Sequence, residues 1–349
     1  MPATMRGIVL TGFGGFDKLE YRSDLPVPQP GAGEVLIRVG AAGVNNTDIN
    51  TRIGWYSKTV EGSTSEGGAS GFAEAEDDGW SGAPFSFPRI QGIDAVGRVV
   101  AVGAGVSEGR IGERVLVEPA LRNADGSVSF FGSECDGAFA EFAVVPSVHA
   151  HAIVSALSDV ELASFPCAYS TAENLLHRSR VAAGERVLVT GASGGVGSAA
   201  VQLAKRRGAA VTALCGVSKH AAVIALGADA VLDRHAPLEA HSFDAVIDVV
   251  GGRGFSSLLG ALKPGGRYAT AGAIAGPLVE LDLRTLYLKD LTFYGCTALD
   301  PEVFANLIGY IERGEIRPVV CAAFPLAKIE SAQRLFLEKH HVGKIVLEV

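Results

Sequence analysis

The sequence predicts an α/β protein in which a doubly wound parallel sheet is inserted between two parts of a mostly β domain. Three observations carry this. Strands and helices alternate regularly between residues 158 and 298, as consecutive βαβ units require. A glycine-rich turn joins a continuous apolar strand to a helix at the head of that series. The preceding part of the chain instead shows short strands and turns with sparse helical periodicity.

The elements follow in order. Residues 6–10 read as a strand, and Pro26, Pro28 and Pro30 interrupt regular structure before Gly33. Residues 34–39 alternate as a strand and run into the small-residue turn 40–43; residues 97–102 and 114–117 add two more. Residues 57–87 carry Gly, Ser, Ala and acidic side chains with almost no aliphatic periodicity. A stretch of that length without structure is either a tolerated surface insertion or a lid beside a substrate cleft. The texture then changes. A helix is expected over 159–177, and the apolar residues 186–190 suit a buried parallel strand. Helices at 197–207, 219–226 and 255–262 alternate with strands at 210–214, 230–232, 245–249, 267–271 and 292–294. The end of the chain is mixed, with helices at 301–313 and 330–337 and strands at 319–324 and 344–349. The expected division is residues 1–157 plus 299–349 for the outer domain and 158–298 for the inserted one.

The 349 residues suit two domains. A formal net charge of −8 argues against nucleic acid or an anionic membrane as partner. No apolar run reaches membrane-spanning length, and residues 1–7 lack a signal-peptide core. The five cysteines are odd in number and dispersed, which suits reduced thiols in the cytoplasm.

The strongest motif places Gly191, Gly194 and Gly197 at intervals of three between the strand 186–190 and its helix. Small residues there let backbone N–H groups and the positive helix end approach a pyrophosphate, as in a Rossmann-type fold. Ser193, Gly194, Gly195, Val196 and Gly197 are the expected contacts. NAD-preferring folds carry an acid after the second strand, but here the segment reads Cys215, Gly216, Val217, Ser218, Lys219. Gly216 leaves space, Ser218 and Lys219 can donate to a 2′-phosphate, and Arg234 after the third strand can clamp it. NADPH is therefore the expected cofactor. Val250, Gly272 and Lys344 complete the expected cofactor set.

Segments along nearly the whole chain resemble the medium-chain dehydrogenase/reductase superfamily, within it the quinone oxidoreductase-like branch. They include residues 33–39, Gly43-Val44-Asn45, residues 92–99, 112–115 and 137–142, the glycine turn, residues 262–267 and 341–346. The resemblance implies a GroES-like outer domain and a substrate cleft between the domains. The zinc enzymes of the superfamily use a Cys, a His and a later Cys. Here the first two positions hold Asn45 and Ile93, with Cys167 near the third and Asp94 after the second. That set does not make a convincing zinc site, and Cys135 is the only cysteine where a structural zinc lobe would stand. No metal is expected; His149 and His151 read as packing rather than ligands.

Without zinc, the charge that hydride transfer puts on a carbonyl oxygen needs hydrogen-bond donors. The resemblance points to Tyr56, Asn46 and Asn50 as the catalytic candidates. Asp48 is expected to order a helix start, and Tyr169 and Thr171 either line the cleft or belong to the core. The expected activity is NADPH-dependent reduction of a quinone or an activated carbon–carbon double bond. The alternatives are a zinc-free carbonyl or alcohol oxidoreductase and a non-catalytic, crystallin-like NADPH-binding protein. Residues 291–295 form an apolar edge strand, from which a homodimer is expected.

Overall fold

The apolar alternation at 34–39 belongs to an 11-residue strand, Glu34–Val44, in the computed structural model, which describes residues 1–76, 85–123 and 125–349. This strand pairs antiparallel with Val96–Val102, Phe142–Pro146 and Lys344–Glu348. The end of the chain thus closes a sheet begun near its start. Arg114–Val117, Ala150–Ala152 and Val320–Pro325 complete seven strands. A separate three-stranded sheet joins Thr4–Leu10, Leu19–Pro26 and Arg89–Ile90. Leu19–Pro26 was not expected from the sequence; Pro26 stands at its last position, where a missing N–H is tolerated. Val35, Leu36, Ile37, Phe139, Ile345 and Leu347 are fully buried in this unit's core. The first unit comprises Met1–Val60, Glu66–Cys167 and Pro318–Val349.

The second unit, Glu61–Ser65 with Ala168–Arg317, holds a six-stranded sheet. In spatial order its strands are Ala230–Asp233, Ala210–Cys215, Arg186–Val189, Phe243–Asp248, Leu262–Thr270 and Thr292–Gly295, all parallel. The order reverses between Arg186–Val189 and Phe243–Asp248, the signature of a doubly wound Rossmann sheet. The fold is therefore a GroES-like β domain interrupted by a Rossmann domain.

The units divide after Cys167 and Arg317 rather than after residues 157 and 298. Three contacts explain this. The helix Asp159–Leu162 packs on Glu34–Val44. The helix Val303–Glu312 stays with the second unit, where Tyr310 donates to Glu173 at 3.4 Å and Asn174 Nδ2 donates to the Ala298 carbonyl at 3.0 Å. The single helix expected over 159–177 is two, Asp159–Leu162 and Pro166–Arg178. Pro166 cannot continue a helix from its N-terminal side but suits a first position.

The insertion 57–87 is not devoid of structure. Thr64–Gly67 makes one helical turn. Thr59 donates to the Glu74 carbonyl at 2.6 Å, the Glu76 N–H to Ser57 Oγ at 3.1 Å, and the Phe72 N–H to the Ile53 carbonyl at 3.0 Å. The buried guanidinium of Arg52 donates to the Gly68 and Gly14 carbonyls, both at 2.8 Å. These bonds tie the described flanks down. Residues 77–84 of the insertion lie outside the described residues.

Candidate functional site

In the second unit, the apolar strand Arg186–Val189 runs through the glycine turn into the helix Gly195–Arg206. Gly197 is required by close approach, since a Cβ there would sit 2.2 Å from the Gly191 carbonyl oxygen. The first-turn N–H groups of such a helix have no intrahelical acceptor and offer a seat for a phosphate anion. Ser193, Gly194, Gly195 and Val196 line the same turn.

Beside it, Ala210–Cys215 ends at Gly216 and a short 3₁₀ turn, Val217–Lys219. Lys219 Nζ donates to Ser193 Oγ at 3.3 Å. Arg234 lies against Gly216 so closely that a Cβ would be 2.6 Å from Nη2. The sheet thus brings Ser193, Gly216, Lys219 and Arg234 together from three successive strand ends, with Ser218 exposed on the turn. Burial, and then the charge of Arg234, pull the Lys219 ammonium below its ordinary pKa. Two cations that repel each other beside a helix start make a pocket suited to an anion. Val250 and Gly272 follow Phe243–Asp248 and Leu262–Thr270 at the same, carboxyl edge of the sheet. These residues suit the phosphates of a dinucleotide cofactor.

Lys344 requires a correction. It lies in the first unit, buried, with its ammonium donating to Asn45 Oδ1 at 2.5 Å, Asp94 Oδ2 at 2.7 Å and the Val44 carbonyl at 3.2 Å. Three oxygens use its three protons, so it braces this unit rather than reaching for a cofactor.

The same cluster tests the zinc site. Asp94 is fully buried and also accepts from the Asn45 amide at 2.8 Å and from the Cys167 N–H at 2.6 Å. Asn45 is therefore committed to Lys344 and Asp94, and Ile93 has no donor atom. The residues do not fit a zinc ligand set. Among the described residues, no group of three or more His, Cys, Asp or Glu is placed to hold a metal ion. His149 and His151 both hydrogen-bond Glu118, at 3.0 and 3.1 Å, as packing residues do.

Asp48 orders the helix Asn46–Arg52 by accepting the Asn45 N–H at 2.8 Å. Burial pushes its carboxyl up to about 7, with Asp94 adding repulsion and the Asn45 N–H and Lys344 opposing. Sequence reading missed this titration, because it arises from burial and from a carboxylate far away in the chain. On the same helix Thr47 accepts from the Tyr56 phenol at 3.2 Å, and Asn50 also hydrogen-bonds that phenol. Burial raises the Tyr56 phenol to about 12, so it stays a neutral donor. Tyr56 and Asn50 thus stand together. Asn46 is held separately: its Oδ1 accepts from Lys339 Nζ at 3.0 Å, which leaves its amide hydrogens as donors. In the second unit Tyr169 is core, with its hydroxyl donating to the Arg317 carbonyl at 2.6 Å, while Thr171 is half-buried. No helix among the described residues is long and apolar enough to cross a membrane.

Comparison with known proteins agrees with this layout. Residues 31–155 match the alcohol dehydrogenase GroES-like domain family, and residues 195–313 match the zinc-binding dehydrogenase family. The quinone oxidoreductase of Lama guanicoe is 30% identical over 98% of this chain and 97% of its own. The acryloyl-coenzyme A reductase of Metallosphaera sedula is 28% identical over 98% of this chain and 99% of its own. A crystal structure of a candidate alcohol dehydrogenase from Sinorhizobium meliloti 1021 is 46% identical, with a TM-score of 0.90 over 100% of this chain and 97% of that one.

Proposed function

The chain belongs to the medium-chain dehydrogenase/reductase superfamily of nicotinamide-dependent oxidoreductases, and we propose that it is an NADPH-dependent, zinc-independent reductase of quinones or activated carbon–carbon double bonds. The observation that carries the reading is the replacement of a metal ligand set by Asn45, Ile93 and a hydrogen-bonded Asp94. Without a Lewis acid at the carbonyl, charge on the oxygen must be met by hydrogen-bond donors, which suits conjugate reduction to an enolate. Similarity to a quinone oxidoreductase and an acryloyl-coenzyme A reductase supports it.

When bound, the reduced nicotinamide supplies the hydride. The chain's own residues do the rest. Ser193, Lys219 and Arg234 hold the 2′-phosphate and the helix start at Gly195 holds the diphosphate. Tyr56, kept neutral by burial and held beside Asn50, swings its one O–H from Thr47 to the developing oxyanion. Asn46, its oxygen held by Lys339, presents its amide hydrogens as a second donor. A second reading, a zinc-free carbonyl or alcohol oxidoreductase, draws on the likeness to the Sinorhizobium meliloti structure. The protein is read as a homodimer through Thr292–Gly295, and its five free cysteines suit the cytoplasm.

Anaerobic mixing with NADPH, following the nicotinamide absorbance against quinones, enals, enones, ketones and aldehydes, tests the reading. Oxidation by the first three groups without bound zinc is expected. Turnover confined to ketones and aldehydes moves the assignment to the second reading, and stoichiometric zinc required for activity refutes zinc independence.

A further inference from the structure

Asp248 ends the strand Phe243–Asp248, which lies beside Arg186–Val189 where the sheet order reverses. That junction opens the crevice in which a doubly wound sheet takes its ligand. The carboxylate is fully buried. Its Oδ1 accepts from Thr190 Oγ1 at 2.5 Å, the Val250 N–H at 2.9 Å and the Gly251 N–H at 3.3 Å. Its Oδ2 accepts from the Tyr268 hydroxyl at 2.5 Å and the same Gly251 N–H at 3.2 Å. Thr190 Oγ1 accepts the Val249 N–H at 3.2 Å, which leaves the Thr190 proton for Asp248.

Every one of these donors is neutral. They disperse the carboxylate's charge without cancelling it, and a buried charge without a cation is a costly way to pin a turn. Burial, and then the nearby Asp248 carboxylate, push the Tyr268 phenol well above its ordinary pKa, so it stays a neutral donor. The partners also matter by position. Thr190 leads into the glycine turn and Val250 and Gly251 form the opposite wall, so one side chain ties both walls of the crevice.

We propose that Asp248 is a positioning residue for the cofactor, and that its negative charge favours the positively charged oxidised nicotinamide over the neutral reduced one. This rests on the cofactor reading above. A residue that only shaped the crevice would affect both redox forms alike, whereas a charge in a low-dielectric site distinguishes them. Such a bias favours the oxidised product of hydride transfer.

The test is to measure dissociation constants for NADPH and NADP⁺ on the full chain, in the wild type, Asp248→Asn, Asp248→Ser and Thr190→Val. The two neutral variants should lose NADP⁺ affinity about tenfold relative to NADPH, the scale of one poorly screened charge. Thr190→Val keeps the charge, so its two affinities should move together. The proposal fails if Asp248→Asn weakens both forms equally, or if Thr190→Val shifts the ratio as far. Should neither neutral variant fold, the wild type alone decides: binding NADPH more than about tenfold tighter than NADP⁺ overturns the bias. A wild type that binds neither form at millimolar concentration refutes the cofactor reading itself.

Discussion

Replacing Lys219 with Ala should weaken NADPH binding while sparing NADH. The ammonium lies 3.3 Å from Ser193 Oγ, with Arg234 against the neighbouring Gly216. A charge-assisted hydrogen bond contributes about 1.5–3 kcal/mol, or roughly 10- to 150-fold in affinity. Two features pull the expectation to the lower end. Lys219 is only half-buried, so solvent screens its charge. Arg234 also repels it, so its removal leaves the guanidinium better placed for the same phosphate. A loss of about tenfold in NADPH affinity, about 1.4 kcal/mol, is the net expectation. Because the ammonium is held below its ordinary pKa, the NADPH preference should also erode with rising pH earlier than for a solvent-exposed lysine. Cofactor fluorescence titrations of both proteins, at neutral and alkaline pH, provide the assay. Equal NADPH and NADH affinities in the wild type, or an equal loss of both in Lys219→Ala, would refute the phosphate-pocket reasoning.

Tyr56→Phe should lower kcat by about 10²-fold, the contribution of one positioned acid, with the NADPH dissociation constant unchanged. Full activity on every accepted substrate would leave Tyr56 as a wall of the pocket. Asp48 has a folded pKa of about 7, above its unfolded value of about 3.9. The folded state therefore holds the extra proton, and the resulting penalty grows as pH rises from about 4 and levels off above about 8. Asp48→Asn should gain thermal stability relative to the wild type across that window; a difference in Tm that is flat with pH contradicts the shift. Leu283, Tyr287 and Leu288 are exposed on the helix Leu283–Leu288, and Thr292–Gly295 is an unpaired sheet edge. Light scattering should find a dimer, and Tyr287→Asp should shift it towards monomer; a wild-type monomer at micromolar concentration contradicts the edge-pairing argument.

By itself the sequence determined the two-part architecture, the parallel sheet and the glycine turn. Each is a local pattern: period-two strands, helices between apolar runs, glycines three apart. The expected elements from residue 186 onward were found, and the failures are local too, such as the helix split at Pro166. The absence of an acid after Ala210–Cys215 was equally legible, because one strand end decides it. What tertiary structure alone decided is which distant groups meet. Lys344, expected at the cofactor, braces Asn45 and Asp94 across 299 and 250 residues. Lys339 orients Asn46 across 293. Asp48 titrates near neutrality through burial and a neighbouring carboxylate, and Asp248 gathers Thr190 from the turn after one strand and Tyr268 from another strand. Desolvation and charge–charge interaction depend on distance in space. A one-dimensional pattern records neither until the strands have paired.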